Sequence, residues 1–274
     1  MSSSLIYYSQ TAELFEGPIF DKEYSLLYFV SIFDNLVYCY DPSTKEILSI
    51  KLDSPTSCIY ILDNKKVLVA SKDGFFEVNF KTLSSTFTFQ IDIDPLVRYN
   101  DGIKDPVGRI IIGTMGYPEI KDNVGKVYSY NNDNYKVIIE NTTISNGLAF
   151  TADQNWLYFI DTPTKKVAKY AYDIETGDMI FDSYVIELTG NGSPDGMTID
   201  DNGMLWIAEW GGACVSQWDP STGKEINKIK LPYNNVTSCC FDKQNNLYIT
   251  TAKSESATGI NNGSGLFYVE LKNI

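Results

Sequence analysis

Short apolar strands separated by polar turns run through almost the whole chain, and the stretch from Thr143 to Tyr172 shows the unit. TISNGLAFTADQNWLYFIDTPTKKVAKYAY opens on a polar residue and a glycine, Asn146 and Gly147, followed by apolar Leu148 to Phe150 and a polar turn around Asp153. A second strand (Trp156 to Ile160), a turn from Thr162 to Lys165 and a third strand (Val167 to Tyr172) complete it. The same grammar recurs in SPDGMTIDDNGMLWIAEWGGACVSQWDP from Ser193, where Asp195-Gly196 takes the place of Asn146-Gly147. It recurs in FEGPIFDKEYSLLYFVSIFDNLVYCYDP with Glu16-Gly17, and looser copies begin at Ser57, Val97 and Thr237.

Aligned on the second strand (Leu27, Val67, Ile110, Leu157, Leu205, Leu247), the six copies stand 40, 43, 47, 48 and 42 residues apart. A period of 40 to 50 residues built from short strands predicts an all-β fold, a six-bladed β-propeller of four-stranded blades. The copies fill the chain from about Glu13 without a linker, so residues 1–274 read as one domain. Leu5 to Tyr8 precedes the first copy without a partner, whereas the last copy ends at Leu266 to Leu271 without an outer strand. Pairing the N-terminal strand onto the last blade would satisfy both edges and close the ring.

Within the units, DPSTKE (Asp41 to Glu46) and DPSTGK (Asp219 to Lys224) read as matching outer turns. The blade from Ser57 carries only a serine where others carry Glu, Asn or Asp and reads as structural. The third blade opens on the polar cluster RYNDG (Arg98 to Gly102), and its GYPEIKDN loop (Gly116 to Asn123) is longer than its counterparts, as loops that cover a ligand often are. A Ser/Gly/Asn-rich loop from Ser254 to Gly265 is either mobile or part of an entrance.

Composition narrows the chemistry. A net charge of -13 argues against nucleic acid or an anionic membrane as partner and favours small cations. Histidine is absent, which removes Ser-His-Asp and Cys-His nucleophiles and His-ligated zinc. The five cysteines show no CxxC spacing and sit in apolar strands, so they read as reduced, packed thiols. With neither a signal-peptide pattern nor an apolar run of spanning length, a cytoplasmic protein is expected. A monomer is the working expectation for its assembly.

In a propeller the residues that open the innermost strands face one another at one mouth of the central channel. Glu16, Asn146 and Asp195 share one slot, four residues before Phe20, Phe150 and Ile199. Asn-Gly and Asp-Gly are common turns anywhere, but Glu gains nothing as a turn former, so a shared ligand role explains the set better. Two carboxylates and an amide oxygen suit one hard divalent cation: Ca²⁺ first, Mg²⁺ or Mn²⁺ as alternatives, and no thiol-rich zinc cage. Arg98 and Asn100 would stand beside this mouth, with donors and an acceptor for hydroxyl or carboxylate groups of a small substrate; a surface ion pair is the plainer reading of Arg98. Asp101 is a supporting candidate. Most Trp and Tyr residues fall where blades pack together; Trp210, after Glu209 in AEWGG, is the exception kept near the pocket.

EGPIF, RYNDGIKDPVGRIIIGTM, SNGLAF, SPDGMTIDDNGMLWIAEWGG and TSCCFD, in that order along nearly the whole chain, resemble the regucalcin and gluconolactonase family, also called senescence-marker-protein-like. The resemblance implies a six-bladed propeller with a divalent metal in its channel and lactone hydrolysis as the activity. It implies Glu16, Asn146 and Asp195 as metal ligands, Asp195 also as the proton-transferring residue, Arg98 and Asn100 as contacts to a sugar-lactone substrate, and zinc among the candidate ions. Family members similar to regucalcin have an acidic substrate contact in the loop after GTM. Here Pro118 takes that place with Glu119 beside it, which makes Glu119 the candidate replacement, and Ser31 stands where relatives tend to have Asp. A non-catalytic calcium-binding regulator of the regucalcin type, a relative of the luciferin-regenerating proteins, and a structural propeller binding proteins on its rim remain open beside the lactonase.

Overall fold

A computed structural model describes residues 3–91, 93–255 and 261–271. Six sheets of four antiparallel strands make the ring of a six-bladed propeller, with one short 3-10 turn at Thr162–Thr164. The inner strands are Phe15–Asp21, Thr56–Asp63, Val97–Lys104, Ser145–Phe150, Ser193–Ile199 and Val236–Phe241. Beside them run Leu26–Ser31, Lys66–Ser71, Ile110–Gly116, Trp156–Asp161, Leu205–Trp210 and Leu247–Thr251, each containing the residue used to align the repeats.

Each blade is sandwiched between two others, so its second strand is covered on both faces. Leu26–Ser31 is buried at every residue, whereas the outer strand Ser84–Phe89 is almost wholly exposed. One apolar cluster fills each gap between neighbouring blades: Tyr28 and Val30 meet Ile59 and Val69 in one, Ile111 meets Leu148 and Phe159 in another, and Ile207 meets Ile160 in a third. The gap between the first and last blades is packed by Phe15, Phe29 and Tyr38 with Leu266 and Tyr248. There the rings of Phe29 and Tyr38 stack at 4.6 Å.

Ring closure follows the expected route. The N-terminal strand Ser3–Ser9 pairs antiparallel with Ser264–Val269, joining Ser3 to Val269 and Ser9 to Ser264, and completes the last blade. The paired outer turns also match: Asp41 accepts from the Ser43 amide and Asp219 from the Ser221 amide, both at 2.8 Å. Of the Ser254 to Gly265 loop, residues 256–260 lie outside the described residues, and the expectation that it is mobile or lines an entrance rests partly on them. Among the described residues the five cysteines are free, and no helix is long and apolar enough to cross a membrane.

Every inner strand carries one extra residue relative to its neighbour at the same height. Pairing jumps between Glu16 and Ile19, Thr56 and Ile59, Tyr99 and Gly102, Asn146 and Leu148, Pro194 and Met197, and Val236 and Ser238. Such a bulge bends the strand and re-aims a side chain. Six bulges at one level turn the start of each inner strand toward the channel.

Candidate active site

Counting four residues back from the inner-strand residue that pairs with each alignment position (Phe20 with Leu27, Ile61 with Val67, Lys104 with Ile110, Phe150 with Leu157, Ile199 with Leu205, Phe241 with Leu247) gives Glu16, Ser57, Asn100, Asn146, Asp195 and Thr237. Every blade therefore presents an oxygen-bearing side chain at this slot. Ser57 and Thr237 direct theirs to backbone carbonyls, of Ala70 at 3.1 Å and Phe15 at 2.6 Å. Glu16, Asn100, Asn146 and Asp195 line a cavity of about 390 Å³ together with Arg98.

Glycine follows three of these residues because the next blade lies against the bulge. A Cβ on Gly196 would sit 2.1 Å from the Ser238 hydroxyl oxygen, and one on Gly147 would sit 2.7 Å from Met197 Cβ. Gly17 has φ +56, with the Ser57 carbonyl 3.1 Å from where a Cβ would stand. The dipeptides Glu-Gly, Asn-Gly and Asp-Gly thus divide their work: the first residue faces the channel and the second lets the blades close. In the third blade Asp101 occupies the bulge and Gly102 the close approach, where a Cβ would fall 2.3 Å from the Tyr60 hydroxyl.

A one-way chain of hydrogen bonds holds the polar groups across three blades. Arg98 Nη1 donates to Asn100 Oδ1 at 2.7 Å and to the Tyr99 carbonyl at 2.9 Å. Asn100 Nδ2 donates to Asn146 Oδ1 at 2.9 Å and to the Ser145 carbonyl at 2.8 Å. Asn146 Nδ2 donates to Thr162 Oγ1, which donates to the Pro194 carbonyl, both at 2.8 Å. Guanidinium at one end can only donate and a carbonyl at the other can only accept, so the orientation of both amides is fixed. Asn146 must direct its oxygen, not its nitrogen, toward Asn100.

The carboxylates experience a strained balance of charge. Burial, reinforced by the Asp101 charge, pushes Glu16 from 4.5 to about 8, against the opposing pull of the Gly17 amide and Arg98. Asp195, 8 % exposed, is raised well above the usual range by burial and then by Glu16 and Asp101, with Arg98 in partial opposition. Burial lifts Asp101 to about 6 and lowers Arg98 to about 10. Fully ionised, Glu16, Asp101 and Asp195 would set more negative charge around Arg98 than its one guanidinium balances.

That surplus, with oxygen donors alone, fits a hard divalent cation. Glu16 and Asp195 supply charge and Asn146 a neutral oxygen of fixed orientation. Among the described residues no three Asp, Glu, Cys or His side chains gather as a metal cluster, so a three-ligand site here would have to include the Asn146 amide.

Glu119 is exposed and does not line the cavity; its neighbours Tyr117, Pro118 and Ile120 do. Trp210 lines the cavity as expected, while Trp206 and Trp218 are buried in the packing between blades. Ser31 is buried and donates to Asp34. Phe33, Thr162 and Ser193 also line the cavity and were not anticipated, whereas Tyr117 and Ile120 lie on the GYPEIKDN loop, which was expected to lie over a ligand. The signal for several was topological: in an antiparallel hairpin the loop after the second strand returns to the end where the first strand begins. Phe33, Tyr117 and Thr162 each sit one or two residues past a second strand, and Trp210 ends one.

The sequence model described as SMP-30/Gluconolactonase/LRE-like region matches residues 14–253. YvrE of Bacillus subtilis, provisionally named a sugar lactone lactonase, is 37 % identical over 245 residues, 88 % of this chain and 84 % of that protein. Regucalcin of Xenopus laevis is 34 % identical over 253 residues, 89 % of this chain and 85 % of its own. A solved luciferin-regenerating enzyme superposes with a TM-score of 0.88 at 26 % identity, covering 98 % of this chain and 95 % of that one. The chain belongs to the SMP-30/gluconolactonase/LRE-like family.

Proposed function

We propose that this protein hydrolyses a small lactone or related ester with the help of one divalent ion held by Glu16, Asn146 and Asp195. The observation that carries the reading is the convergence of Glu16, Asn100, Asn146 and Asp195 from four blades, with Arg98, on one cavity. The likeness to a protein named as a lactonase points the same way. At about 390 Å³ the cavity lies in the range of roughly 300–1,000 Å³ usual for small-molecule sites.

The chemistry such an ion supplies when bound is polarisation of the carbonyl and a lowered pKa of coordinated water; Ca²⁺ suits the donors first, with Mg²⁺, Mn²⁺ or Zn²⁺ as alternatives. Asp195 takes a proton from the attacking water and returns it to the ring oxygen as the acyl C–O bond breaks, leaving a hydroxy acid. Burial, with Glu16 and Asp101, raises its pKa and so makes its carboxylate a stronger base than an ordinary one. Arg98 and Asn100 orient the ester oxygens from fixed positions, and burial of Arg98 strengthens its field at the reacting carbonyl. Glu16 and Asn146 hold the ion; Glu119, on the exposed loop, stands outside this set. The partner is a small molecule, in keeping with the net charge of -13.

The test is a panel of lactones assayed with Ca²⁺, Mg²⁺, Mn²⁺ and Zn²⁺ after chelation. Hydrolysis restored by an ion and lost in Asp195→Ala supports the reading. Saturable Ca²⁺ binding with no hydrolysis under any ion would favour instead a calcium-binding regulator, a reading that the likeness to regucalcin carries.

A further inference from the structure

The lactonase reading leaves the substrate open, and resting on that reading the cavity itself narrows the class. Its charged lining, Glu16, Arg98 and Asp195, lies deep with Asn100 and Asn146; Arg98, Asn146 and Asp195 are 5 %, 5 % and 8 % exposed. Toward the entrance the character changes. Phe33, Ile120 and Trp210 line the same cavity yet are 44 %, 60 % and 37 % exposed, with Tyr117 beside them on the GYPEIKDN loop. Large apolar residues gathered in the open at the rim of a cleft mark a surface that awaits an apolar guest. Phe33 lies with its ring 5.9 Å from the Arg98 guanidinium carbon, so apolar wall and polar floor are continuous.

Hydroxyl partners along this wall are scarce. Thr162 is occupied by Asn146 and by the Pro194 carbonyl, which leaves the side-chain hydroxyls of Ser193 and Tyr117. Glu119, the loop carboxylate expected to receive sugar hydroxyls, lies outside the lining, and the carboxylates within it, Glu16 and Asp195, belong to the floor. A polyhydroxylated ring seated here would strand hydroxyls against Phe33, Ile120 and Trp210, each at a cost of roughly tenfold in affinity. An alkyl or aryl substituent would instead gain about fourfold for each methylene it buries.

We propose that the substrate is a lactone bearing an apolar substituent and few hydroxyls, its carbonyl at the Arg98–Asp195 floor and its substituent against Phe33, Ile120 and Trp210.

The experiment compares kcat/KM for δ-valerolactone, δ-octalactone, δ-decalactone and glucono-δ-lactone with the same added ion. The expected result is a rise of about fourfold per methylene until the wall is covered, δ-decalactone ahead of glucono-δ-lactone by about tenfold or more, and a flattened series in Trp210→Ala and in Ile120→Ser. A flat alkyl series, or glucono-δ-lactone preferred, overturns the inference and leaves the lactonase reading standing. If no lactone is hydrolysed with any ion, the lactonase reading fails. Binding followed by tryptophan fluorescence then decides this one: tighter binding of δ-decalactone than of glucono-δ-lactone upholds it, and equal or weaker binding overturns it.

Discussion

Replacing Thr162 by Val tests whether the hydrogen-bond chain, rather than mere proximity, prepares Asn146. Valine keeps the shape and removes the hydroxyl that accepts from Asn146 Nδ2 and donates to the Pro194 carbonyl, each at 2.8 Å. Two hydrogen bonds worth about 1 kcal/mol each are lost, and a buried amide is left with an unpaired donor, for a total of about 2–3 kcal/mol. For a chain of this length that lowers Tm by roughly 5–10 °C. The more telling effect is on ion binding. Asn146, 5 % exposed, loses the contact that keeps its oxygen turned to the channel, and partners of this kind are worth about 10–100-fold in metal affinity. Calorimetric titration with Ca²⁺ should therefore show a Kd weakened at least tenfold in Thr162→Val and restored in Thr162→Ser, which keeps the hydroxyl. Ca²⁺ affinity within about twofold of wild type in Thr162→Val would refute the claim that this chain positions Asn146.

Three further outcomes are expected. Asp195→Ala should lower kcat by about 100-fold or more and leave thermal unfolding unimpaired, because it removes a carboxylate that burial and Glu16 make costly to ionise; turnover near wild type would take Asp195 out of the mechanism. In chelated protein the raised pKa of Glu16, about 8 against an ordinary 4.5, means its contribution to stability is full below about 4.5 and is lost as pH rises through 8. Tm should therefore fall over that window and fall less in Glu16→Gln, and equal slopes would contradict the assigned cause. Gly196→Ala, whose Cβ would stand 2.1 Å from the Ser238 hydroxyl oxygen, should cost about 1–3 kcal/mol from overpacking and be partly rescued by Ser238→Gly; an unchanged Tm would show that the blades have room to spare.

Much of this architecture can be read in the sequence because a propeller repeats one burial pattern at a fixed interval. The second strands are covered on both faces, so Leu27, Val67, Ile110, Leu157, Leu205 and Leu247 align without a gap in logic. Glu16, Asn146 and Asp195 stand out through the glycine after each, which close packing between blades demands. Asn100 holds the same slot but was hidden from that rule: Asp101 follows it, and the close approach falls one residue later at Gly102. The bulges were illegible because each opens after at most three residues of its strand, which leaves too few positions before it for the shift in alternation to show. Thr162 was missed for a different reason. Its role depends on a partner in another blade, the Pro194 carbonyl, and no local pattern encodes a contact spanning 32 residues.

The central claim is that one cation sits among Glu16, Asn146 and Asp195, and anomalous diffraction from crystals grown with Mn²⁺ tests it most directly. The account predicts a single strong peak in the channel within bonding distance of all three side chains, absent in Asp195→Ala. A peak at another place, or an empty channel at saturating Mn²⁺, would contradict it.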